Sequence, residues 1–137
     1  MENYKFIEGL TSDVMFEAYG KNLKELFKNS ALALFSVICN IKKVGEEKTV
    51  DIEVSGDSLE ELMVNWLQDL IALVDTDELF FSRFDIIEIN ENNLKAKCYG
   101  ETISPEKAGV VVKGVTYYKL KIEKIKNNYK ATISLDI

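Results

Sequence analysis

The chain has no histidine among its 137 residues. That excludes Ser-His-Asp and Cys-His nucleophilic systems, and it excludes imidazole metal sites. Site chemistry must then rest on carboxylates, lysines, hydroxyls and backbone, and a metal held by such groups would be a hard cation such as Ca²⁺ or Mg²⁺. Arginine is nearly absent too. Arg83 is the only one, and with a formal net charge of −6 the chain lacks the basic patch of a nucleic-acid-binding surface. A basic partner, or one that itself binds nucleic acid, is compatible with that charge. The two cysteines, Cys39 and Cys98, have no metal-ligand spacing, and Pro105 is the only proline. There is no Gly-rich phosphate loop, no Cys-x-x-Cys pair and no EF-hand loop with its spaced acids and central glycine. Met1-Glu2-Asn3 is neither basic nor followed by the long apolar run of a signal peptide. No apolar segment is long enough to span a bilayer. A cytoplasmic protein with reduced thiols and no membrane partner is the expectation.

What is present suits a soluble globular chain, 47% hydrophobic and 29% charged. Its length predicts a single domain over 1–137. The strongest periodic stretch runs from Ser58 to Phe81. Leu59, Leu62, Met63, Trp66, Leu67, Leu70, Ile71 and Val74 recur at helical spacing and form one apolar face. Ser58 and Glu61 fit a capping box. A first helix is predicted from Asn22, with Glu25 as capping partner and a buried stripe of Leu23, Leu26, Phe27, Leu34, Val37 and Ile38. Asn40 reads as its stop.

The remainder reads as strand and turn. Strands are predicted at Tyr4–Glu8, Asp13–Tyr19, Thr49–Val54, Leu79–Ile89, Leu94–Glu101, Val110–Ile125 and Tyr129–Ile137. Turns are predicted at Gly9–Ser12, Asn90–Asn93 and Asn127–Asn128. Ile41–Lys48 and Ile103–Gly109 read as loops. In the long strand from Val110, one face carries Val110, Val112, Thr116, Tyr118, Leu120 and Ile122, and the other carries Lys113, Tyr117, Lys119 and Lys121. The expected class is α+β, two amphipathic helices packed on a mainly antiparallel β-sheet.

Few residues stand out as bearers of chemistry. Asp13 opens a strand whose inward face is apolar, and it also suits a turn-closing role. Asp136 lies in the last apolar alternating strand, where Ile133, Leu135 and Ile137 would dock the terminus. Docking would bring Asp136 and the α-carboxylate of Ile137 together, and carboxylates at one spot repel unless a cation or proton lies between them. Lys113 reads as a strand lysine on the less apolar face. Asp75-Thr76-Asp77-Glu78 could be a solvated helix-end loop, an N-cap, an acidic surface or a cation site. Every apolar stripe has a plausible core partner, so no exposed apolar patch is expected.

Taken in order, these segments resemble the archease family over nearly the whole chain. Phe6-Ile7-Glu8, Thr11-Ser12-Asp13-Val14 and Ala18-Tyr19-Gly20 are similar to its opening block. Asn22 to Phe27 and Asn29 to Phe35 are similar to its first helix. Leu59-Glu60-Glu61-Leu62, Asn65-Trp66-Leu67 and Val74-Asp75-Thr76-Asp77 are similar to its second. Gly100-Glu101, Val112 to Tyr117 and Leu135-Asp136-Ile137 are similar to its closing blocks. The resemblance implies a small non-catalytic partner of the RtcB-type RNA-splicing ligase of tRNA splicing, one that promotes guanylylation of the ligase and repeated turnover. It implies a divalent metal site, Ca²⁺ with Mg²⁺ or Mn²⁺ as alternatives, at positions matching Asp13, Asp136 and Ile137. Lys113 matches a functionally important lysine, and Asp75 falls in a matching block as second-layer support or partner surface. RNA would be met only through the ligase. Leu10 stands where the family often has His, Gly9 where it has Glu, Gly114 where it has Ala, and Tyr118 where it has His. The rival classes are a metal-dependent phosphohydrolase or nuclease using the same carboxylates, and a general chaperone.

Overall fold

The computed structural model describes residues 3–7 and 13–137. The turn expected at Gly9–Ser12 lies outside these residues. Among the described residues seven strands and two α-helices follow in the order β1 (Tyr4–Ile7), β2 (Asp13–Gly20), α1 (Leu23–Ile38), β3 (Lys48–Ser55), α2 (Leu59–Asp77), β4 (Leu79–Ile89), β5 (Asn93–Thr102), β6 (Gly114–Ile125) and β7 (Asn128–Asp136). Short 3-10 turns occupy Ile41–Lys43 and Pro105–Lys107. The α+β class and the antiparallel pairing match the expectation, but the strands form two sheets rather than one. One has the order β1-β2-β7-β6 and the other β3-β5-β4.

Both helices start where the capping residues predict. Asn22 Oδ1 accepts from the Glu25 amide at 2.9 Å, and Ser58 Oγ accepts from the Glu61 amide at 3.1 Å. Each bond satisfies one orphan donor of a first turn. Glu61 reaches back to the Asp57 amide at 3.3 Å, one residue before the cap. Helix α1 packs against β2 of one sheet and β4 of the other, so it is buried on more sides than its apolar stripe suggests. Asn29 and Ser30 are buried as well. Asn29 Nδ2 donates to the Tyr19 carbonyl at 2.7 Å, and Ser30 Oγ to the Leu26 carbonyl at 2.9 Å. Trp66, fully buried on α2, donates its indole N–H to the Phe27 carbonyl at 3.0 Å and ties the helices together. Phe35, Phe81 and Phe84 fill the core beside it, with ring centroids 5.5–6.2 Å apart. Pairs in this range add to the stability that burial of their area supplies.

Four expectations need correction. Helix α2 continues through Asp75 and Thr76 to Asp77, and Glu78 closes it in the left-handed region at φ 55°. The acidic cluster is therefore its last turn rather than a loop. The strand expected from Val110 begins only at Gly114. The amides of Gly109 and Val110 donate instead to the carbonyls of Ile38 and Val37, at 2.8 and 2.9 Å, capping the C-terminal end of α1. Gly109 permits that approach, since a Cβ there would lie 2.4 Å from the Val37 oxygen. Third, the alternation of β6 does not persist. Its register against β7 shifts between Thr116 and Lys121, with Lys119 at φ 54°. The bulge turns Tyr118 outward with Tyr117, and the two are 44% and 66% exposed. The β6–β7 turn is Lys126–Asn127, with the positive φ of 57° on Lys126.

Candidate functional site

Strand β7 lies between β2 and β6, and its last paired residue is Asp136. Asp13, the first residue of β2, is directly opposite it. Directly opposed residues share a face of the sheet, with Cβ atoms about 4.5–5.5 Å apart. Two of the sequence-predicted residues are thus brought together. On the other flank Asp136 is in register with Gly114, which places no side chain beside it. Asp13 is half-buried and Asp136 exposed. Ile137 is half-buried and packs against the edge of the core, which holds the main chain after Asp136 in position.

Lys113 joins this corner through its backbone. Its amide donates to the Asp136 carbonyl at 2.7 Å, while its side chain is exposed. Lys113 therefore precedes the strand instead of lying within it, and among the described residues its ammonium forms no ion pair. The start of β6 is held from the helix side by Gln68, whose Oε1 accepts the Val115 amide at 2.7 Å.

Glu17 shows what a compensated carboxylate looks like on the same face of β2. The Tyr19 hydroxyl donates to it at 2.8 Å, and Lys130 and Lys5 approach within 3.5 and 3.7 Å. The tyrosine bond, reinforced by the lysines, holds its pKa below the usual carboxylate range. Asp13 and Asp136 have no such partners among the described residues. Like charges directly opposed destabilise a sheet unless something lies between them. Among the described residues no three His, Cys, Asp or Glu side chains cluster as a ready-made metal cage. A cation here would be held by two carboxylates, main-chain oxygen and water, a donor set that suits a hard divalent ion. The thiols belong to the core. Burial pushes both Cys39 and Cys98 up to about 12.

Asp75 is not part of this corner. It lies seven residues beyond Gln68 on α2, about 10 Å along the axis at 1.5 Å per residue. There it lines a cleft of about 290 Å³ between the end of α2 and the segment 108–112. Ile71, Val74 and Phe80 line it with Val110, Val111 and Val112, and Asp75 and Glu78 add acid. The sequence reading missed this surface. Its signal was the unbroken Val110-Val111-Val112 run, which a half-buried strand would have alternated.

Comparison with known proteins adds a family. The family model described as "Archease protein family (MTH1598/TM1083)" matches residues 4–137. Protein archease of Methanosarcina acetivorans is 38% identical over 142 aligned residues, covering 99% of this chain and 97% of the relative. Protein archease of Sulfurisphaera tokodaii is 36% identical, with both chains covered completely. The solution structure of Methanobacterium thermoautotrophicum protein 1598 superposes with a TM-score of 0.82 at 29% identity, covering 100% of each chain. The Thermotoga maritima crystal structure, described as "an archease, possible chaperone", has the same fold, with a TM-score of 0.70 at 19% identity over 93% of each chain.

Proposed function

This chain belongs to the archease family, and from that premise we propose that it is a non-catalytic activator of an RtcB-type RNA-splicing ligase in tRNA splicing. In this reading it promotes guanylylation of the ligase and so permits repeated turnover. The observation that carries the reading is the opposed pair Asp13 and Asp136 at an open sheet corner, each without a compensating cation among the described residues. Asp13 and Asp136 would hold a divalent cation, Ca²⁺ first among the candidates, with a main-chain oxygen of Ile137 and water completing the shell. When bound, such an ion neutralises the paired carboxylates and offers open coordination positions to phosphate oxygens.

This chain's own part is positional. Packing of Ile137 and pairing of β7 on both sides hold Asp136 rigidly. Gly114 keeps its flank clear, and the Lys113 backbone is fixed beside it with the ammonium free to meet an anionic group. A metal-bearing acidic tip of this shape suits contact with the active site of a larger enzyme better than it fits turnover of its own. The buried thiols are protonated and unavailable as nucleophiles.

The test is multiple-turnover ligation by the ligase with wild-type protein, Asp13→Ala, Asp136→Ala and a chain lacking Ile137. Loss of stimulation in the variants, with single-turnover ligation by pre-guanylylated enzyme retained, is the expected result. Full stimulation by all three would sink the metal-tip reading. RNA or nucleotide turnover by the purified protein alone would replace it with an enzyme.

A further inference from the structure

We infer that the apolar cleft between the last turn of α2 and the segment 108–112 is a second contact for the same ligase, and that it seats an aliphatic or aromatic side chain flanked by Lys or Arg. The inference rests on the reading given under Proposed function and adds the chemistry of the docking surface.

The cleft is built to remain open. Its outer wall cannot join the sheet, because the amides of Gly109 and Val110 are spent on the carbonyls of α1. That leaves Val110 47% and Val111 76% exposed, while Val112 beside them is buried. Val110 and Val111 thus stand side by side at the cleft as a contiguous apolar surface, which carries meaning that a singly scattered residue would not. The volume, about 290 Å³, is at the small end for ligand pockets and suits one inserted side chain.

Charge selects the occupant. Asp75 and Glu78 stand exposed at the cleft, and neither forms an ion pair among the described residues. Of the two lysines flanking the segment, Lys107 is already bonded to Glu101, and Lys113 forms no ion pair with either acid among the described residues. An apolar anchor with a neighbouring cation complements this rim, whereas a bare apolar or acidic segment would leave it uncompensated.

Position selects the partner. Lys113 follows Val112 directly and is bonded through its amide to Asp136. Two residues of chain, at most about 7 Å, separate Val111 from Lys113. This short stretch joins the wall of the cleft to the metal corner, so a partner that receives Asp13 and Asp136 has Val111 within reach.

The experiment measures binding of the ligase to this protein by calorimetry at low and high salt, for wild type, Val111→Asp, Val111→Ser and Asp75→Lys. Both sites of change, Val111 and Asp75, are exposed, and circular dichroism checks each fold. Ca²⁺ binding is followed separately by the shift in melting temperature. The expected result is at least tenfold weaker ligase binding for Val111→Asp and Asp75→Lys, a smaller loss for Val111→Ser, a flatter salt dependence for Asp75→Lys, and unchanged Ca²⁺ binding throughout. Wild-type binding with all variants within twofold of it overturns the cleft assignment and leaves the metal corner standing. No wild-type binding overturns the functional reading and the cleft assignment with it. If sedimentation shows a wild-type dimer that Val111→Asp dissociates, the cleft belongs to a second copy and the ligase assignment falls.

Discussion

Gln68 holds the beginning of β6 in place: its Oε1 accepts the Val115 amide at 2.7 Å. The neighbouring Gly114 is what lets the helix come so near, since a Cβ there would lie 3.1 Å from the same oxygen. Replacing Gln68 by Ala should release the Val115 amide to solvent and cost about 0.5–1 kcal/mol in urea unfolding. The loss should extend to faster amide exchange at Val115 and Thr116. Gly114→Ala should do the opposite. Gly114 has no positive φ and the obstructing atom ends a flexible side chain, so Gln68 can yield by a few tenths of an ångström. Restricting the unfolded chain then stabilises the protein by about 0.5 kcal/mol.

The opposed carboxylates make a prediction with two signs. Without divalent metal, Asp136→Asn removes a like-charge pair across β2 and β7 and should raise the melting temperature. With Ca²⁺ in excess the order should reverse. Wild type gains about 2.7 kcal/mol at a hundred times the dissociation constant, and the variant gains little. Melting curves in EDTA and in Ca²⁺ decide it, and a variant that still responds to Ca²⁺ as wild type does would count against the site.

Glu17 should mark the acid limb of stability. The Tyr19 hydroxyl, then Lys130 and Lys5, lower its folded pKa below the ordinary 4.5. A lowered folded pKa means stability present above the unfolded value and lost as pH falls through the folded one. Stability should therefore decline progressively below about pH 4.5. Glu17→Gln should flatten that limb and cost about 1 kcal/mol at neutral pH, read from urea midpoints at pH 3, 5 and 7.

Both cysteines should be silent until the protein unfolds. Burial raises Cys39 and Cys98 to about 12, and Cys39 donates its S–H to the Phe35 carbonyl at 3.2 Å. A thiol reagent at pH 8 should find essentially no reactive group in native protein and two in urea. Labelling of native protein should be slowed by the opening equilibrium of the core and should accelerate as urea weakens it.

Both helices and most strands were readable because their signals are local. Asn22, Ser58 and Glu61 announce helix starts, and the alternation of Ile52, Val54 and their neighbours announces β3. The pairing of Asp13 with Asp136 spans almost the whole chain. Composition alone offered only two isolated acids at strand ends, and the resemblance to a family joined them. What sequence could not carry was competition for hydrogen bonds. Gly109 and Val110 have strand-like neighbours, yet the unsatisfied carbonyls of Val37 and Ile38 claim their amides. The same competition explains why β6 starts late, why Lys113 is outside it and why Val111 is exposed. The β6 bulge was equally hidden, since nothing in Tyr117-Tyr118-Lys119 demands a positive φ.

The bonding of segment 107–110 to the end of α1 has a dynamic meaning. Asn40, Gly109 and Val110 make a ladder of amides and carbonyls that joins two stretches about seventy residues apart in sequence, and at a helix end such bonds replace caps that α1 lacks in its own last turn. Unravelling the segment would therefore uncap the helix, and fraying of the helix would release the segment. The two should open together as a single cooperative unit. The amides of Gly109 and Val110 would then exchange as slowly as those of the helix end they close, and a partner docking on this wall would meet a segment already ordered.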